Sequence, residues 1–280
     1  MLTDGSRSSQ RADSPLDAPR TRGETWSHAR ALSYRAILGV VRQPQVWLPS
    51  LFFPLFFAAL NTAALGKSTA LPGFPAADSF LDFMLAATVV QGVLFGGIGA
   101  ASEMAQDIEN GFFERLVAAP TARVSILLGR LAGGAALGAA QSIVFLAIFA
   151  VFGAEVKAGV PGILVLVLTG TLLALAIGAI GTAMALRTGS VEAVQGAIPL
   201  FFISLFASSA FFPRELMRGW FHAVATWNPF SWMIDGLRHL ILVGWSSSDA
   251  LAAIGVPIVI TVFGVAISLR QLQRRLAVAA

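Results

Sequence analysis

The sequence predicts an all-α polytopic membrane protein: six transmembrane helices, an N-terminal amphipathic interfacial helix, and short re-entrant helices before the last span. Three observations predict it. Mean hydropathy is +0.76. Charged residues make up 12% of the chain, about half the share usual in a soluble domain. Charge-free apolar runs recur near the ~20 residues that a spanning helix needs. These runs do not alternate polar and apolar residues, so they predict helices and not the strands of a barrel.

The elements follow in order. Residues 1–25 are rich in Ser, Arg, Asp and Pro with almost no large apolar side chain, which predicts a disordered tail and leaves no place for a signal peptide's apolar core. Residues 26–44 predict an interfacial helix. At 100° per residue Trp26, Ala29, Ile37, Val40 and Val41 share one face, His28, Arg35 and Arg42 line the other, and Pro44 ends the segment. The spans are expected within residues 45–270, at Val46–Gly66, Phe83–Ser102, Leu131–Ala154, Gly159–Leu186, Ala193–Phe212 and Ala250–Leu269. The third begins near Val124 if Arg130 reaches the interface. Between the last two runs, residues 213–249 are too polar to span and carry Trp220, Trp227, Trp232 and Trp245, the composition of short helices dipping into the interface. A short tail, 271–280, closes the chain. Gly92 and Gly96, Gly129 and Gly133, and Gly134 and Gly138 recur at four-residue spacing, a helix-packing signal.

Arginines and lysines set the expected orientation, because they collect on the cytoplasmic side of short loops. With both termini cytoplasmic, the inner segments hold fourteen arginines, among them Arg115, Arg130, Arg187, Arg270, Arg274 and Arg275. The outer segments hold only Lys67, Lys157, Arg214, Arg218 and Arg238. The basic balance is thus a topology signal, and no basic patch interleaved with aromatics suggests nucleic acid. The chain has no cysteine, so disulfide and thiolate chemistry are excluded. His28, His222 and His239 stand far apart, without metal-ligand spacing, so no metal site is expected.

The connection after the second span, 103–123, is the most informative stretch. Asn110-Gly111 and Pro120 are helix stops, and between them a short helix carries Phe112, Phe113, Leu116 and Val117 beside Glu114 and Arg115. Aromatics on such a loop favour a docking element covered by a partner, or else a turn resting on lipid headgroups. Glu109-Asn110-Gly111, then Glu114, Leu116, Pro120 and Leu127-Leu128-Gly129-Arg130, resemble the cytoplasmic signature of ABC-2-type (type V) ABC exporter permeases, of the daunorubicin-resistance and polysaccharide-export kind. Asn228-Pro229-Phe230 followed by Asp235-Gly236-Leu237-Arg238 is similar to that family's stretch before the last span. The resemblance runs from the interfacial helix to the sixth span, with Arg218 where relatives often carry proline.

The resemblance implies a permease subunit in the bacterial plasma membrane that pairs with a second permease, identical or homologous, and two cytoplasmic ABC ATPase subunits. Residues 26–44 would be its connecting helix. Glu109, Gly111, Phe112, Phe113, Glu114, Leu116 and Pro120 would form its coupling helix, and Asn228, Pro229, Asp235 and Arg238 its outer motif. The chain itself would hold no cofactor, Mg-ATP being bound by the partner. Asn61 to Ser68 ends in Gly-Lys-Ser but lacks the first glycine of a phosphate-binding loop and follows no strand.

Expected cargo is hydrophobic or amphipathic: a drug, lipid or glycolipid moved out of the cytoplasm or the inner leaflet. Phe201, Phe202 and Phe206, in the fifth run with Phe211 and Phe212, are candidates for its path, although a lipid-facing or helix-packing surface carries the same residues. Two other classes compete. Glu103, Asp107, Glu109 and Glu114 suggest a membrane enzyme holding Mg²⁺ on a diphosphate lipid, provided one helix runs through Gly111. A secondary transporter would need ionisable groups deep in its spans, and none of the six runs has one near its middle.

Overall fold

The computed structural model describes residues 44–118 and 123–278. The expected tail 1–25, nearly all of the interfacial helix 26–44, and Pro120 lie outside the described residues. Ten α-helices are described: α1 (Pro44–Leu65), α2 (Phe80–Glu109), α3 (Phe112–Ala118), α4 (Arg123–Val151), α5 (Gly159–Thr188), α6 (Val191–Gln195), α7 (Ile198–Phe206), α8 (Gly219–Trp227), α9 (Pro229–Leu242) and α10 (Ser247–Val278). Two 3-10 turns, Gly66–Ala70 and Arg214–Leu216, complete the order, and no strand occurs among the described residues.

Five helices, α1, α2, α4, α5 and α10, are long and apolar enough to cross a membrane. The sequence predicts a sixth at Ala193–Phe212, and there the structure differs. That run is broken into α6 and α7, and the helix stops at Phe206. Gly196 ends α6, and Pro199, in the first turn of α7, has no N–H to continue a helix from the turn before. Past Phe206 the chain is claimed by side chains: Ser209 N–H donates to Ser231 Oγ at 3.0 Å, and the carbonyls of Ser209 and Ala210 accept from Arg238 at 2.9 and 3.0 Å. Hydropathy does not register such captures.

α2 is the centre of the bundle and is buried along most of its length, whereas α1 and α10 bury only a narrow stripe. It opens with a capping box: Asp82 N–H donates to Ser79 Oγ at 3.2 Å and Ser79 N–H donates to Asp82 Oδ2 at 3.0 Å. Around it pack α1, α4, α5 and α9. Small residues permit the closest approaches. Gly92 lies under the Phe145 ring of α4, Gly138 of α4 meets Gly170 and Ala174 of α5, and Gly181 of α5 meets Ala101 of α2.

α5 and α10 run parallel in the most extensive helix pair of the fold. Three side chains of α10, seven residues apart, donate to three α5 carbonyls, also seven residues apart: Thr261 to Leu172 at 3.0 Å, Ser268 to Ala179 at 2.6 Å and Arg275 to Leu186 at 3.0 Å. A seven-residue repeat returns to the same helix face after two turns, so this ladder fixes the register of the pair.

Candidate functional site

One end of the bundle gathers the end of α2, the whole of α3, the start of α4, the end of α5, α6 and the last turns of α10. The chain leaves α2 through Asn110 and turns at Gly111, whose φ of +65° suits glycine. The predicted short helix follows as α3. Its Phe113 does not face outward: it is 3% exposed, in an apolar cluster with Met104, Ala105, Ile108, Leu127, Leu186 and Leu272. Leu116 and Val117 are half-buried against the same cluster. The expectation of aromatics awaiting a partner is therefore corrected at Phe113, which this chain itself covers. Glu109, Glu114 and Arg115 are exposed and Phe112 is half-buried.

Polar contacts tie α3 to α10 and join the neighbouring helix ends. The Arg275 guanidinium lies 5.7 Å from the centre of the Phe113 ring, donates to the Leu186 carbonyl, and pairs with Glu114 at 3.2 Å. Glu109 Oε1 accepts from the Val191 N–H at 2.8 Å, which joins the end of α2 to the first turn of α6. Asp107 pairs with Arg130 of α4. Three of the four carboxylates that suggested a Mg²⁺ site thus have protein partners. α2 also ends at Glu109, so Glu114 is not on one helix with Glu103 and Asp107. No group of three or more His, Cys, Asp or Glu residues suited to a metal occurs among the described residues.

At the opposite end, the second sequence motif builds a different node. Asn228 caps α9: its Oδ1 accepts from the Phe230 N–H at 2.9 Å, while its Nδ2 donates to the Ser204 carbonyl of α7 at 2.6 Å. Pro229 takes the first helical position, which needs no donor. Arg238 is 4% exposed, although its sequence context placed it among the outer charges. It lies 3.7 Å from the Phe83 ring centre, donates to the carbonyls of Phe83, Ser209 and Ala210, and pairs with Asp235 at 2.9 Å. Asp235 also accepts from Ser209 Oγ at 2.6 Å and pairs with Arg214 at 2.7 Å. Burial lowers Arg238 to about 10, which leaves it charged at neutral pH. Burial raises Asp235, opposed by Arg238, Ser209 and Arg214. The four tryptophans of residues 213–249 are exposed at this end.

Phe202 and Phe206 belong to an aromatic set that joins α1, α2 and α7. Phe202 meets Phe53 and Phe95 edge-on at 6.2 and 5.1 Å, and Phe206 meets Phe57 at 5.8 Å. Phe201, Phe202, Phe95, Leu94 and Gln91 line a narrow crevice with a free volume of about 10 Å³, room for about one water; Phe206 lies outside it. Gln91 is buried, and its Nε2 has no hydrogen-bond partner. Sequence reasoning passed over Gln91 because a lone amide in a long apolar run does not reveal which way it faces. It also read Arg275 only as a topology charge; the signal available was its seven-residue spacing from Ser268 and Thr261.

These features define a multi-pass integral membrane protein with a short polar-faced helix built firmly into one end. The chain belongs to the ABC-2 type transporter family, which matches residues 27–242. It is 25% identical over 228 residues to the daunorubicin resistance ABC transporter permease protein DrrB1 of Streptomyces coeruleorubidus, covering 78% of each chain. It is 24% identical to the putative transport permease ycf38 of Porphyra purpurea, over 85% of this chain and 83% of that one. It is also 24% identical to the probable doxorubicin resistance ABC transporter permease protein DrrC of Mycobacterium tuberculosis (strain ATCC 25618 / H37Rv), over 70% of each. The chain is a permease subunit of an ABC-2 type transporter, homologous to drug-resistance exporter permeases. Permeases of this family lack an ATPase domain of their own and generally pair with ABC ATPase subunits.

Proposed function

We propose that this permease exports a hydrophobic or amphipathic cargo, a drug, lipid or glycolipid, from the cytoplasm or the inner leaflet of a bacterial plasma membrane. In this reading two ATPase subunits dock on α3, a second permease completes the membrane pore, and both termini are cytoplasmic. α6 and α7 together make the fifth crossing, and residues 213–249 form the outer re-entrant segment. The preponderance of arginines in the segments at the α3 end supports the orientation.

The observation that carries the reading is the mounting of α3. Phe113 anchors it below, while Glu109, Glu114 and Arg115 are left at the surface around a half-buried Phe112. A helix held on one face and polar on the other can receive a push without folding into the membrane. The aromatic lining at Phe201 and Phe202, flanked by Phe206, and the unpartnered Gln91 amide support a cargo path for a molecule with an apolar body and a hydrogen-bond acceptor, one that opens only when these helices part, since the crevice as it stands has room for about one water.

The test is co-purification with a co-expressed cognate ABC ATPase. Arg115→Glu should reduce recovery of the ATPase at least about tenfold while thermal unfolding of the permease stays unchanged, since an exposed surface substitution costs about 0.5 kcal/mol or less. Phe113→Ala should reduce binding and stability together. Full ATPase recovery with Arg115→Glu would remove the outward face of α3 from the docking surface.

A further inference from the structure

We infer that Arg275 is a positioning residue for the docking helix, linking the register of the α5–α10 pair to α3; its use in transport rests on the reading above. The ladder Thr261, Ser268, Arg275 ties α10 to α5 at three carbonyls, and its last rung is the one that reaches beyond the pair. The same guanidinium that donates to Leu186 pairs with Glu114 and lies against Phe113. Arginine suits this place because its planar fork can serve a carbonyl, a carboxylate and an aromatic face together, whereas an ammonium is a point donor. The surroundings pack against it at ordinary contact distance. Gly189, left-handed at φ +65° at the end of α5, lies beside both Ile108 and the Arg275 guanidinium, and a β-carbon there would stand 3.5 Å from Nη1.

Two further contacts extend the register toward the bundle centre. Ser268 is fully buried, and a β-carbon on Gly264 would meet Ala179 and the Ala176 carbonyl, so α10 lies too close to α5 to slide freely. A displacement of α3 is therefore passed to α5 and α10 as one body, and a displacement of that pair is passed back to α3, as reciprocal coupling requires. Glu114 and Arg275 are 161 residues apart in sequence, so this link joins distant parts of the chain at one end of the bundle.

The test uses hydrogen exchange of the amides of 112–118 in the full chain in lipid nanodiscs, without any ATPase. Arg275→Gln should speed exchange about fivefold while the α2 amides keep their protection. Ser268→Ala, which does not touch α3, should speed exchange of the same amides about threefold and have no further effect in the Arg275→Gln background. Glu114→Gln, which leaves the Leu186 anchor, should act in the same direction more weakly and serves if Arg275→Gln fails to fold. Unchanged exchange in 112–118 for all three variants overturns the proposal, as does a Ser268→Ala effect of full size in both backgrounds. A second arm adds the ATPase with a non-hydrolysable ATP analogue. Protection at 270–278 should change in the wild-type complex and stay unchanged with Arg275→Gln; an equal change in both overturns the link. If the ATPase does not bind the wild-type chain, the docking reading fails, while the first arm still decides the link.

Discussion

The two ends of the bundle are each organised by an arginine with the same three kinds of partner, a phenylalanine face, backbone carbonyls and a carboxylate. Arg238 meets Phe83 at 3.7 Å, three carbonyls and Asp235, and its side chain is 5% exposed. Arg275 meets Phe113 at 5.7 Å, one carbonyl and Glu114, and its side chain is 29% exposed. The difference lies in solvent. A buried guanidinium loses much of its hydration, so every partner must be present and removing one leaves an uncompensated charge. A guanidinium at the surface exchanges protein partners for water at small cost, so its contacts can loosen and re-form. The first arrangement suits a fixed joint, the second an adjustable one.

Substitutions can break or sharpen that comparison. The largest effect is expected for Arg238→Ala, which leaves Asp235 with only Arg214 and the Ser209 hydroxyl and strips the carbonyls of Ser209 and Ala210 of their donor; loss of one partner from a buried pair costs about 3–5 kcal/mol. Thermal unfolding of the detergent-solubilised chain should fall sharply, with loss of folded yield. Next is Gly236→Ala, whose β-carbon would stand 2.5 Å from the Asp249 carbonyl and press α9 off α10, at about 1–3 kcal/mol by the same assay. Third is Arg275→Gln, at about 1 kcal/mol of global stability, in keeping with a partly exposed pair. Smallest is Ser268→Ala, removing one rung between α10 and α5, at about 0.6 kcal/mol. A loss for Arg275→Gln as large as that for Arg238→Ala would end the distinction between a fixed and an adjustable node.

What was legible in the sequence follows the range of the interactions involved. Four of the six runs became long helices close to where uninterrupted hydropathy placed them, and the first became α1. The Asn110-Gly111 stop is a local signal and marks a helix end in the fold, whereas Asn228-Pro229, singled out in the sequence only for its family resemblance, begins a helix. The fifth run failed as one continuous helix because Pro199 interrupts it locally and Arg238, 28 residues on, claims the Ala210 carbonyl. The outward reading of Phe113 failed for a similar reason: the residues that cover it include Leu186 and Leu272, brought in by α5 and α10. Arg238 and Arg275 were counted as topology charges, because an arginine's partners, and so its burial, depend on tertiary contacts rather than on its neighbours in sequence.

The central claim is that α3 is the ATPase-facing end of this permease, and the absence of native cysteine allows a direct measurement. Single cysteines would be placed at Arg115, exposed on α3, and at Trp227, exposed at the opposite end, and each variant treated with a short bifunctional thiol-to-amine reagent in the assembled complex. The account predicts a cross-link to the ATPase from position 115 and none from position 227. Cross-linking from 227, or from neither position in a complex that remains assembled, would contradict it.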